Sequence, residues 1–183
     1  MALSLAILGR RFGQLRLDSR GVAALELALI LGVGTTVMLN GIEISRYYYA
    51  KMELENAAQM AAQNVFRVCD KSEKLPATIR CSDHTDAIGT ALQSTSLGSN
   101  VTLSTDYPTE AYYCVSTGGA LIQVAAANET RPNDCSSVGR SSDKPGLYLM
   151  IQAQYTYTPI FDAITIGSRL PATVRSSTMT RLS

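Results

Sequence analysis

The chain has 183 residues, a net charge of +1, and charged side chains at only 17% of positions. That length suits one domain of ordinary size, and the balanced charge argues against a phosphate-tracking nucleic-acid binder. The charge is unevenly placed: Arg10, Arg11, Arg16 and Arg20 against Asp18 give +3 over residues 1–21, leaving −2 for the remainder. Few charges with abundant Ala, Ser and Thr suit an exported protein whose solubility comes from hydroxyls.

Residues 1–21, MALSLAILGRRFGQLRLDSRG, are apolar first and basic afterwards. The opening apolar run is too short to span a bilayer. An ordinary secretory signal has its basic cluster before the apolar run and a small-residue cleavage site after it, and this order is reversed. The apolar segment at residues 22–42 is long enough. As a helix it covers about 31 Å, close to the hydrocarbon thickness of a bilayer. The arginines ahead of it place the amino terminus in the cytoplasm and the rest outside.

The helix is expected to continue through ISRYYYAKMELENAAQMAAQNVFRVC, which holds no proline. Tyr47, Ala50, Leu54, Ala58, Ala61, Val65 and Val68 recur at steps of three and four, one face of a helix. Core packing within the same domain explains this stripe better than a helix-to-helix seam. Tyr47, Tyr48 and Tyr49 sit where an aromatic belt meets the outer interface. One helix over residues 22–68, about 70 Å long, is the expectation.

The remainder reads differently. TDAIGTALQSTS is expected to form a short helix capped by Thr85. NVTLST, AYYCVST and ALIQVAA are short β-branched or aromatic runs between Pro, Gly and Asn, which predicts strands. Residues 128–144 read as a loop. In GLYLMIQAQYTYTPI, Leu147, Leu149, Ile151, Ala153, Tyr155 and Tyr157 share one face, opposite Gln152, Gln154 and Thr156. That alternation predicts an antiparallel sheet wet on one side, and ATVRSSTMTRL a last strand. The fold class is α+β.

All four cysteines, Cys69, Cys81, Cys114 and Cys135, follow the apolar segment. An even number beyond a membrane span predicts two disulfides in an oxidising compartment, agreeing with the arginines on topology. Three pairings are possible. The sequential one, Cys69–Cys81 with Cys114–Cys135, closes the shortest loops and is preferred.

One residue in the apolar segment calls for explanation. Glu26 places a carboxylate where lipid is expected, and such groups usually have partners. If the bond after Gly21 is cut, Val22 becomes the first residue of the product and Glu26 the fifth. A basic leader, a glycine, an apolar helix and an acid at position five make the processing pattern of type IV prepilin-like proteins. Arg20–Gly21–Val22–Ala23–Ala24–Leu25–Glu26, followed by Glu43, Arg46, Tyr49, Asn56–Ala57–Ala58 and Ala61–Ala62, resembles the TadE-like pseudopilins of bacterial tight-adherence (Flp-type) pili. Tyr155–Thr156–Tyr157–Thr158–Pro159 continues the likeness more weakly.

The resemblance implies a pilin-like fold and a division into a leader (1–21), a transmembrane helix (22–42), its extracytoplasmic continuation (43–68) and a periplasmic α+β domain (69–183). It implies cleavage between Gly21 and Val22 by a prepilin peptidase, Glu26 as the assembly residue, and a single pass through the inner membrane. Partners would be other pilins or pseudopilins and the pilus assembly machinery, with no nucleic acid, no cofactor and no enzymatic activity. The competing reading is an uncleaved, signal-anchored periplasmic binding or adhesin domain. Other candidates are weaker. Cys81, Asp83, His84 and Asp86 can be drawn as a metal site, but a lone histidine among loop acids is far more often solvated surface, so no metal is expected. Asn128–Glu129–Thr130 matches a glycosylation acceptor only as short motifs often do by chance. No serine stands at a recognisable spacing from a histidine base.

Overall fold

The computed structural model describes residues 19–161 and 164–183. The expected leader therefore lies almost wholly outside the described residues. The described chain divides into two compact units, each taken by itself. One contains the described residues up to Ser45 together with Pro159–Arg169; the other contains Arg46–Thr158 and Leu170–Ser183.

Helix α1, Ser19–Val68, is a single element of 50 residues and begins slightly before the expected start. No proline interrupts it. Two short helices follow, α2 (Ala77–Arg80) and α3 (His84–Leu92), and then five strands: β1 (Val101–Leu103), β2 (Thr109–Val115), β3 (Leu121–Ala126), β4 (Gly146–Thr156) and β5 (Thr173–Arg181). A long helix followed by an antiparallel sheet and two disulfides is the α+β arrangement expected.

Strand β4 organises the sheet. Its two halves pair with β2 (Glu110 opposite Leu149) and β1 (Thr102 opposite Gln154), while β5 runs along it from Tyr148 to Thr156. Strand β3 extends the sheet from β2, and every pairing is antiparallel. The alternation in β4 sets its faces: Leu147, Leu149, Ile151 and Ala153 are buried, whereas Tyr148, Met150, Gln152 and Gln154 are half-buried.

That inward face packs on the stripe of α1. Ala50, Leu54, Ala57, Ala58, Ala61, Ala62 and Val65 share one core with Leu149, Ile151, Ala153 and Val174, joined by Ile88 and Leu92 of α3. The alanines explain the closeness: a methyl side chain keeps the helix backbone near the sheet and loses no rotamer freedom on burial. Glu55, Gln59 and Gln63 fall off the stripe and are exposed. The core-packing reading of the stripe therefore describes what this face does.

Both disulfides take the sequential pairing, Cys69–Cys81 and Cys114–Cys135. The first ties the end of α1 to α2; the second ties β2 to the 128–144 loop. In that loop the carboxyl of Asp134 is held below its ordinary value by hydrogen bonds from the Ser136 hydroxyl and then the Ser136 amide.

One cap differs from expectation. Helix α3 starts at His84 with Asp83 at the N-cap, and no side chain caps it. The Thr85 hydroxyl instead meets His84 Nε2 at 3.3 Å. The turn out of the Cys69–Cys81 crosslink starts the helix two residues earlier, placing Thr85 inside its first turn.

Glu110, buried on β2, holds the start of α2. It accepts from the amides of Ala77 (2.9 Å) and Thr78 (2.8 Å) and from the Thr78 hydroxyl (2.8 Å). These amides belong to the first turn of a helix and have no intrahelical acceptor, so the carboxylate supplies what the helix lacks. Glu110→Ala is expected to leave the buried Ala77 donor unmet and to cost about 1–3 kcal/mol. Denaturant unfolding of the full chain in detergent would measure it, and an unchanged midpoint would contradict this role.

Candidate functional site

The first unit is dominated by the apolar half of α1. It is the one helix among the described residues long and apolar enough to cross a membrane, and none of its most apolar window is buried within the chain. Met38 is 71% exposed and Ile30 68%. Three of its polar side chains bond back onto the helix itself. The Thr36 hydroxyl donates to Gly32 O (2.9 Å), the Asn40 amide to Thr36 O (2.8 Å), and the Ser45 hydroxyl to Gly41 O (2.8 Å). Such i→i−4 bonds let hydroxyls and amides sit where water is scarce.

The residues singled out by the sequence lie at the start of this helix. Gly21 and Val22 occupy its first turns, and a Cβ added at Gly21 would meet nothing within 4 Å. Among the described residues, nothing outside the helix crowds Gly21. Glu26 is exposed and has no hydrogen-bond or ion-pair partner among the described residues. It lies four residues after Val22, on the same helix face and about 6 Å further along the axis.

The opposite end of the apolar segment holds a second acid in a contrasting setting. Glu43 is fully buried. The Ile160 amide donates to both of its oxygens at 3.3 Å, and the Phe161 amide donates to Oε2 at 3.4 Å. One turn back on the helix, Asn40 Oδ1 accepts from the Ile166 amide at 2.9 Å. The two side chains thus hold the Pro159–Arg169 segment by its backbone. Gly167 is where this segment closes on itself: a Cβ there would stand 2.8 Å from Pro159 Cβ and 3.2 Å from Glu43 Cγ. Only a residue without a side chain fits. Glu43 entered the sequence reading through the resemblance alone. Its structural task, and Asn40's, went unread because the partners lie well over a hundred residues away.

The remaining candidates do not come together as a site. His84 Nδ1 faces Cys81 O, and Cys81 is consumed in a disulfide. Among the described residues, no group of three or more His, Cys, Asp or Glu could hold a metal ion. An apolar cavity of about 260 Å³ lies between α3 and β1, lined by Ile88, Leu92, Val101, Leu103 and Pro108 among others.

Residues 21–63 match the family model for TadE-like proteins, from Gly21 through most of the α1 stripe. No curated protein and no solved structure matches the chain.

Replacing Glu43 by Ala removes the acceptor for two backbone amides and is expected to release the segment it holds. Hydrogen exchange at Ile160 and Phe161 should then accelerate about tenfold or more, the equivalent of a lost buried charge-assisted hydrogen bond. Unchanged exchange at both amides would show that the carboxylate does not hold them.

Proposed function

We infer that this chain is a minor pseudopilin or assembly protein of a bacterial tight-adherence pilus. It is anchored in the inner membrane by residues 22–42 and cut after Gly21 by a prepilin peptidase. The observation that carries the reading is the coincidence of three features at one junction. An exposed apolar helix runs through it, Glu26 follows at the fifth position with no partner among the described residues, and the TadE-like match starts at residue 21.

The chemistry of the junction supports it. The leader arginines favour the cytoplasmic face, which keeps the Gly21–Val22 bond at the membrane edge. Cutting that bond creates an α-amino group at Val22 with a reference value of about 7.7–8.0, mostly protonated at neutral pH. Burying the Glu26 charge in lipid costs about 2.5–3.5 kcal/mol on insertion scales. An ammonium on an adjoining subunit offsets that cost only where the helices are in register. The same pair that removes the penalty therefore selects the packing of one subunit on the next.

The domain beyond the membrane then faces the periplasm, where its two disulfides are stable. An uncleaved anchored binding domain is the alternative, resting on the apolar cavity beside α3. At about 260 Å³ that cavity falls below the usual range for small-molecule sites, roughly 300–1,000 Å³. The pilus reading is the better supported.

Amino-terminal analysis of the membrane form, with and without an active prepilin peptidase, tests the reading. The expected product starts at Val22 only when the peptidase is present; a chain still starting at Met1 in its presence overturns it. Glu26→Ala is expected to be cut normally yet to lose co-purification with other pilins, whereas the anchored-domain alternative requires no change.

A further inference from the structure

We propose that the Pro159–Arg169 segment is a membrane-contacting foot. In this role Ile160, Ile164 and Ile166 enter the boundary between headgroups and acyl chains beside the end of the apolar helix. The proposal rests on reading residues 22–42 as a membrane span and adds a second lipid contact to it.

Three observations carry it. The first is exposure: Ile160 is 58% and Ile164 61% exposed, and Ile166 is exposed as well, although all three belong to a segment fixed at both ends. The second is level. The segment is bonded to Asn40 and Glu43, which flank Ile42, the last apolar residue of the span and itself exposed. The isoleucines therefore continue the helix's apolar surface at the depth where that surface ends.

The third is the state of the backbone. A loop entering an apolar boundary must meet its own amides, because lipid will not. Here the Ile160 and Phe161 amides go to Glu43 and the Ile166 amide to Asn40. The Thr165 amide donates to Phe161 O at 3.0 Å, and its hydroxyl donates to the same oxygen. The Gly167 amide donates to Thr165 Oγ1 at 3.1 Å. Five amides of one short segment are thus satisfied without water.

A protein partner adding itself through main-chain bonds would need some of these groups free. Lipid needs only the side chains. The exposed Arg169 at the segment's end can lay its stem along this surface and reach a lipid phosphate.

The absence of tryptophan makes the test direct, since Ile164→Trp gives the full chain a single indole. The variant is reconstituted into phosphatidylcholine–phosphatidylglycerol vesicles, plain or brominated near the acyl carbonyls. Leu31→Trp, in the span, is prepared in parallel with bromine deep in the acyl chains. The expected result is blue-shifted emission from Ile164→Trp, loss of most of it in the brominated vesicles, and protection from aqueous iodide. Ile160→Trp should behave in the same way if the first variant folds poorly. Emission at 160 and 164 that is indifferent to bromine but quenched by iodide, with Leu31→Trp quenched by lipid, would overturn the foot and leave the span intact. If Leu31→Trp also escapes bromine, the membrane reading fails and takes the foot with it.

Discussion

Everything in this protein follows from a helix whose first half, among the described residues, is left largely uncovered. Between Val22 and Ile42, ten large apolar side chains are exposed. Covering each contributes about 1.5–3 kcal/mol, so leaving them all in water forfeits on the order of 15–30 kcal/mol. A typical domain is stable by about 5–15 kcal/mol in total. That surface must be covered, and its length and composition fit a bilayer. Thr36, Asn40 and Ser45, bonded back to their own helix, fit the same solvent. Beyond Arg46 the helix buries a face: there the alanine stripe seats it on the sheet, and polar residues such as Lys51, Glu55, Gln59 and Gln63 enter its exposed positions.

Two acids mark the ends of the apolar stretch, and the chain treats them in opposite ways. Glu43 is supplied with donors from within, by a segment far away in sequence that folds back to offer two amides. It is thereby a structural residue, completed during folding. Glu26 is given no such provision among the described residues. A charged carboxylate left unprovided in an apolar setting is costly to a lone subunit, and an outside cation lowers that cost. This is the property wanted of an assembly residue: the isolated state is penalised and the assembled one is not. On the proposed reading, cleavage after Gly21 would supply that cation, one on every subunit at a fixed place.

How far the sequence revealed this depends on how local each feature is. The course of α1 was legible because absence of proline and a three-four spacing act over neighbouring residues. The buried face of β4 was legible because strict alternation has one geometric meaning. The disulfide pairing followed from loop length, again a short-range property. The failures are all long-range or dependent on a turn. Thr85 looked like a cap because hydroxyls commonly are, but the turn after Cys81 set the helix start at His84. Glu110 and the amides of α2 are separated by over thirty residues, and Glu43 and Ile160 by 117. No periodicity encodes such a meeting. A signal for the second existed in hindsight: an apolar run, PIFDAITIG, outside any strand pattern and closed by a glycine.

The central claim is that Glu26 finds its cation on the amino terminus of a neighbouring subunit. Zero-length carbodiimide coupling in intact membranes, followed by peptide mapping, tests it most directly. The account predicts an amide between the Glu26 carboxyl and the α-amine of Val22, joining two chains. Recovery of Glu26 unjoined to any amino terminus, in membranes whose other carboxyl–amine pairs couple normally, would contradict it.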